Sequence, residues 1–207
     1  MEKKINLKIF SSKKNIEIQS LCYGFNLFLP TSILIISSIF KQYSLAAELG
    51  ILIGINIIFT QIFSANLRSV IISINNINNV YSHVIFRLLV IFFILLVNII
   101  VFYTYNFTYI EILSQIIILI LIQWLCEIIL TYYEIKNNLR KFFDYFFICL
   151  IFLILIVGSF IFKYNFLFIL IIFNITFLIF LISGIFQINK KLISIKKIFF
   201  DIIKSPA

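Results

Sequence analysis

Glu48, Asn56, Thr60 and Ser64 stand at multiples of four residues in a strongly apolar stretch, with Leu52 as the one apolar interruption. Steps of four keep side chains on one slowly drifting face of a helix. Gln61 and Arg68 continue this polar stripe. Ala46, Gly50 and Gly54 run beside it as a small-residue stripe suited to close helix packing. A second set, Gln115, Gln123 and Glu127, repeats the spacing with Leu119 between. In hydrocarbon, a charged side chain at mid-depth costs about 2.5–3.5 kcal/mol on insertion scales, so each polar residue needs a partner or water. The two stripes are expected to face a water-filled cavity. Their carboxylates, amides and hydroxyls would form a substrate or ion pathway of Glu48, Asn56, Thr60, Arg68, Arg87, Gln123 and Glu127. The alternative is that these groups only hydrogen-bond to adjacent helices.

Arg87 and Glu127 fall on consecutive apolar runs joined by a short loop, each near the same end, so the two could meet. A pair would offset part of the burial cost, although such pairs often only break even. Arg87 could face a pyrophosphate and Glu127 could take up a proton; taken alone, Arg87 is expected to snorkel to lipid headgroups. Pro30, with Asn26 and Thr31 beside it, sits in mid-run and is expected to kink its helix and free a backbone carbonyl. Asn98 and Asn174 read as single interhelical hydrogen-bonding residues. Tyr103, Tyr105, Tyr132 and Tyr133 fit aromatic belts at the membrane boundary.

The elements that position these residues follow from composition. The chain has 207 residues, 63% hydrophobic and 12% charged, with a mean hydropathy of +1.15. A soluble domain of this length still exposes much of its surface and could not hide so much apolar area. A bilayer core of about 30 Å needs about 20 apolar helical residues. Six runs meet that length, at 19–40, 45–71, 84–105, 109–133, 142–162 and 166–188, with an asparagine-rich gap at 73–83. The fold class expected is an all-α membrane protein, a bundle of about six transmembrane helices. The fifth run carries few polar residues and is expected to face lipid. If the N-terminus lies inside, every Lys and Arg except Lys41 and Lys163 falls on the cytoplasmic side. That asymmetry predicts both termini in the cytoplasm of a multi-pass protein of the cell inner membrane. The organisation expected is a basic amphipathic N-terminus at 1–18, a six-helix lobe at 19–188 and a basic amphipathic segment at 189–207. Each end reads either as a helix on the anionic leaflet or as a solvated tail.

The net charge of +9 belongs to this topology and not to nucleic-acid binding, since no basic patch with interleaved stacking residues lies outside the runs. Cys22, Cys126 and Cys149 lie within apolar runs and His83 is the single histidine, so neither a disulfide framework nor a metal site is expected. No Walker motif, aspartate cluster, HExxH or nucleophile with a usable histidine occurs. The sequence therefore predicts neither an enzyme nor a cofactor.

The segment KQYSLAAELGILIGINIIFTQIFSANLRSVIIS at 41–73, and above all QIFSANLRS from Gln61 to Ser69, resembles the second-helix region of Wzx-like O-antigen and polysaccharide flippases of the MOP exporter superfamily. The lysine-rich start and the proline in the first run agree with it. The resemblance implies two six-helix lobes that rock around a cavity and pass a lipid-pyrophosphate-linked oligosaccharide outward without ATP hydrolysis. Cationic residues there would contact pyrophosphate, and acidic ones would couple ions or close gates. This chain corresponds to the N-terminal lobe, so its expected partners are membrane lipid, the lipid-linked oligosaccharide and a second six-helix lobe, from a missing C-terminal half or another chain. A drug or organic-cation antiporter of the same superfamily and a non-transporting structural membrane subunit are the alternatives.

Overall fold

In a bilayer core, backbone N–H and C=O groups find no water, so a spanning segment satisfies them within itself as a helix. A computed structural model shows that architecture. It describes the backbone of residues 2–64 and 77–204, and the side chains of 17–64, 80 and 83–188. Among the described residues the protein is all-helical: α1 (Glu2–Ile39), α2 (Tyr43–Ser64), α3 (Ile77–Tyr105), α4 (Ile110–Ile135), α5 (Leu139–Phe162) and α6 (Phe166–Lys204). Each contains a stretch long and apolar enough to cross a membrane: Glu17–Ile39, Tyr43–Ser64, His83–Tyr105, Ile110–Ile135, Leu139–Phe162 and Phe166–Ile188. The chain is a multi-pass membrane protein.

These spans follow the six apolar runs to within a few residues, with two differences. The second run was expected to reach 71, but α2 is described only to Ser64; 65–71 lies outside the described residues. The asparagine-rich gap is shorter than expected, because α3 already begins at Ile77. α1 and α6 extend past their spans without a break, to about 57 and 58 Å at 1.5 Å per residue. The side chains of these extensions lie outside the described residues.

Among the described residues, the helices are joined by tight connections. Four of these each use one non-glycine residue in the left-handed region, Lys41, Asn106, Asn137 and Lys163, at φ of 60, 47, 52 and 55°. Such a residue stops a helix and turns the chain at once. Lys163 shows the device: its backbone is left-handed, and its N–H returns to the Ser159 carbonyl.

α4 is the axis of the bundle. It packs against all five other helices, and 67% of its span is buried, against 28–44% for the others. α5 has the lowest share, 28%. It buries one stripe, Phe142, Tyr145, Cys149, Phe152, Ile156 and Ser159, and leaves the rest partly or fully exposed. The three cysteines are buried and free. Of the expected aromatic belts, Tyr103 and Tyr105 are exposed, but Tyr132 and Tyr133 are core residues on α4, with Tyr133 against Phe180.

The small-residue stripe on α2 serves as a packing surface only in part. Ala46 is buried and Gly50 approaches Leu34 of α1, whereas a side chain at Gly54 would meet open space. The close approach lies elsewhere, at Gly184 on α6, where an added Cβ would overlap Ile129 Cγ2 of α4. Ile129 is β-branched and stiff at χ1, so it cannot easily yield. Gly184→Ala is expected to destabilise the bundle by about 1–3 kcal/mol through overpacking. Ile129→Ala in the same chain should recover part of that loss. Thermal unfolding in detergent measures both.

Candidate functional site

α1, α2 and α4 leave a cavity of about 310 Å³ in the half of the bundle toward the chain termini. One wall is polar, formed by Thr60, Gln61 and Ser64 of α2 and by Gln123 and Glu127 of α4. Leu27, Pro30, Ile57 and Ile120 form an apolar wall, with Asn26 and Trp124 completing the enclosure. Steps of four built the polar wall: Thr60 and Ser64 share a face of α2, as Gln123 and Glu127 do of α4.

Glu127 stands at the edge of this cavity. Its Oε2 accepts a hydrogen bond from Arg87 Nη1 of α3 at 2.9 Å, an ion pair whose side chains are 24% and 2% exposed. The same nitrogen donates to the Trp124 carbonyl, and the guanidinium carbon sits 4.6 Å from the Trp124 ring centroid. Trp124 Nε1 in turn donates to Ser64 Oγ at 2.6 Å. One chain of contacts therefore joins α2, α3 and α4. The expectation that Arg87 snorkels is corrected. Its guanidinium turns inward because a carboxylate, a carbonyl and a ring face satisfy it there.

Gln123 is 2% exposed and lines the cavity, and neither its Oε1 nor its Nε2 has a partner. A buried unpaired amide costs about 1–3 kcal/mol per group. Its own backbone carbonyl accepts from Asn26 Nδ2 at 3.4 Å, and Tyr145 donates to Asn26 Oδ1. Four residues on, Pro30 lies inside α1 and lines the same cavity. Having no N–H, it leaves the Asn26 carbonyl without its helical donor.

The other candidates lie apart from the cavity. Asn56 is fully buried and exchanges reciprocal amide hydrogen bonds of 2.9 Å with Asn98 of α3. Each amide also donates to its own helix, to the Leu52 and Ile94 carbonyls at 2.8 Å. Glu48 sits at the opposite end of the bundle, where it accepts from the backbone N–H groups of Thr108 and Tyr109 at 3.0 and 3.2 Å and from the Thr108 hydroxyl. There it caps α4, whose own N-cap residue Tyr109 supplies no side-chain bond. Arg68 lies outside the described residues. The expected continuous stripe on α2 is thus divided among an outer cap, an interhelical clasp and a cavity wall. Gln115 joins another clasp, its carbonyl and Oε1 accepting from Asn174 Nδ2 at 3.0 and 2.9 Å.

Sequence reading placed Ser64 on the polar stripe of α2 but did not single out Trp124 or Asn26 as members of the site. Trp124 carries a signal that could have found it, being the sole tryptophan, adjacent to Gln123 and one helical turn from Glu127.

Glu127→Gln is expected to leave Arg87 buried without a counter-charge and to cost about 3 kcal/mol of stability. Adding Arg87→Met should return most of that loss. Asn98→Leu should cost about 1–2 kcal/mol, and Asn56→Leu on top of it much less than a second increment, because the clasp is already broken. Denaturation of the purified variants in one detergent checks these values.

Compared with known protein families, curated proteins and solved structures, the chain matches none.

Proposed function

We propose that this chain is a six-helix lobe of a membrane transporter that flips a lipid-pyrophosphate-linked oligosaccharide for cell-surface polysaccharide synthesis. The observation that carries the reading is the cavity. It lies in the half of a lipid-embedded bundle nearest the termini and is lined by Thr60, Ser64, Gln123 and Glu127. The lysine and arginine asymmetry supports a cytoplasmic side for this half of the bundle. The cavity would then open on the side where a lipid-linked sugar is loaded. A second six-helix lobe would cover the open side.

The charge balance refines the substrate end. Glu127 is neutralised by Arg87, so the wall presents amides and hydroxyls without net charge. That suits the glycan more than the pyrophosphate, whose contact would fall to Arg68 or to cations of a second lobe. The same ion pair counts against a drug or organic-cation antiporter, which requires an acidic group free to meet its substrate.

In cells that lack their own polysaccharide flippase, the full gene should restore surface polysaccharide. Gln123→Leu and Thr60→Val should each lower export about tenfold at unchanged protein level. Failure to restore export with any lipid-linked glycan overturns the flippase reading. Thiol labelling separates transport from a structural subunit. Thr60→Cys should react from water with a charged reagent, and Asn56→Cys should stay silent within its clasp. Silence at Thr60→Cys would favour the structural subunit.

A further inference from the structure

We infer that the pocket at the turn between α4 and α5 holds the headgroup of an anionic phospholipid, with Lys136 on the phosphate and the amides of Asn137, Asn138 and Gln187 around it. This pocket shares no residue with the cavity between α1, α2 and α4, so the lipid is a bound neighbour of the bundle and not its cargo.

Depth comes first. The span of α4 ends at Ile135 and that of α5 begins at Leu139, which leaves only residues 136–138 between them. A turn that short sits in the headgroup layer, which extends roughly 5–7 Å beyond each face of the hydrocarbon core. The pocket there has a volume of about 380 Å³ and is lined by Tyr132, Tyr133, Lys136, Asn137, Asn138 and Gln187. That volume is ample for a small polar group, since ligand pockets run from roughly 300 to 1,000 Å³. A phospholipid reaches this depth without leaving the bilayer. α5 is the least buried span and leaves apolar surface beside the turn for acyl chains.

The available groups select the headgroup. Lys136 is half-buried, and its ammonium stands 5.9 Å from the Tyr132 ring centroid, a contact that steadies the long side chain. Among the described residues it has no carboxylate partner, whereas Lys141 on the following helix is paired with Asp144 at 3.2 Å. The side-chain amides of Asn137, Asn138 and Gln187 make no hydrogen bond among the described residues. Unlike Gln123 they are open to a ligand, since Asn137 and Gln187 are exposed and Asn138 is half-buried. Asn138 is the N-cap residue of α5 and yet makes no side-chain capping bond there. One ammonium and three amides offer up to four directions of donation and no negative charge, which suits phosphate oxygens. A choline headgroup would bring a second cation against Lys136. A free phosphate could use the same donors but lacks the acyl chains that hold a lipid at this depth.

Mass spectrometry of the intact full chain, released from detergent micelles, counts the lipids that stay bound. The micelles are doped with phosphatidylglycerol or with phosphatidylcholine of the same acyl chains. The result expected is one phosphatidylglycerol retained about tenfold more tightly than phosphatidylcholine. Lys136→Gln and Gln187→Leu should each weaken that retention about fivefold, and Lys136→Arg should keep it. Lys163→Gln, at the other end of α5, should leave it unchanged. Equal retention of the two lipids overturns the proposal, as does an equal loss with Lys163→Gln. A loss with Lys136→Gln but none with Gln187→Leu also overturns it and reduces the turn to a diffuse basic surface. Displacement of the lipid by millimolar inorganic phosphate overturns it in favour of a free-anion site. All four variants change exposed or half-buried positions, and thermal unfolding in the same detergent confirms that each is folded.

Discussion

Hydrocarbon supplies neither hydrogen-bond partners nor a hydrophobic reason for one helix to leave lipid for another. Polar side chains therefore do in this bundle what apolar burial does in a soluble core. Asn56 with Asn98 joins α2 to α3, Gln115 with Asn174 joins α4 to α6, and Asn26 with Tyr145 joins α1 to α5. Arg87 with Glu127 joins α3 to α4. Each joint is directional. A register slip of one helix against another leaves two amides or two charges unpaired at a depth where water cannot rescue them. The apolar remainder fills space between the joints without specifying them, because Ile and Phe lose little by facing acyl chains instead of each other.

This division explains what could be read from the sequence. Span number and position depend on hydropathy alone, which is a local property, and all six runs appear as helices. The Arg87–Glu127 pair was also legible, since two charges near one end of adjacent antiparallel spans have few other partners. Burial was not legible. In a soluble helix the apolar face is the buried face, but here α4 at the centre and α5, the least buried span, are both strongly apolar. Hydrophobicity carries no inward direction in lipid. Tyr132 and Tyr133 show the consequence, since a boundary position and an aromatic ring suggest a belt, while the centrality of α4 buries both. Gly184 shows the same limit for small residues. A glycine at an exposed position and a glycine at a helix crossing look identical until the crossing is known.

Glu48 shows a different limit. Its spacing with Asn56 and Thr60 is real, and all three lie on one helix, but a helix of 22 residues passes several environments along its length. At its N-terminal end the nearest need is electrostatic. The N-terminus of α4 exposes unpaired N–H groups and the positive end of a macrodipole, and a carboxylate from 60 residues upstream answers both. Spacing reports a shared face and does not report depth. Only the packing of α2 against α4 turns one stripe into three structures with separate roles.

Gln123 stands out against this background. Its amide completes no joint and caps no helix, and both of its polar atoms are buried without a partner, whereas Arg87 and Asn174 each leave a single such atom. Both amide atoms are buried and unpaired, in a residue that lines a space of about 310 Å³. The Arg87–Glu127 pair next to it leaves the wall electrostatically neutral, where a bare carboxylate or guanidinium at low dielectric would draw in a counter-ion.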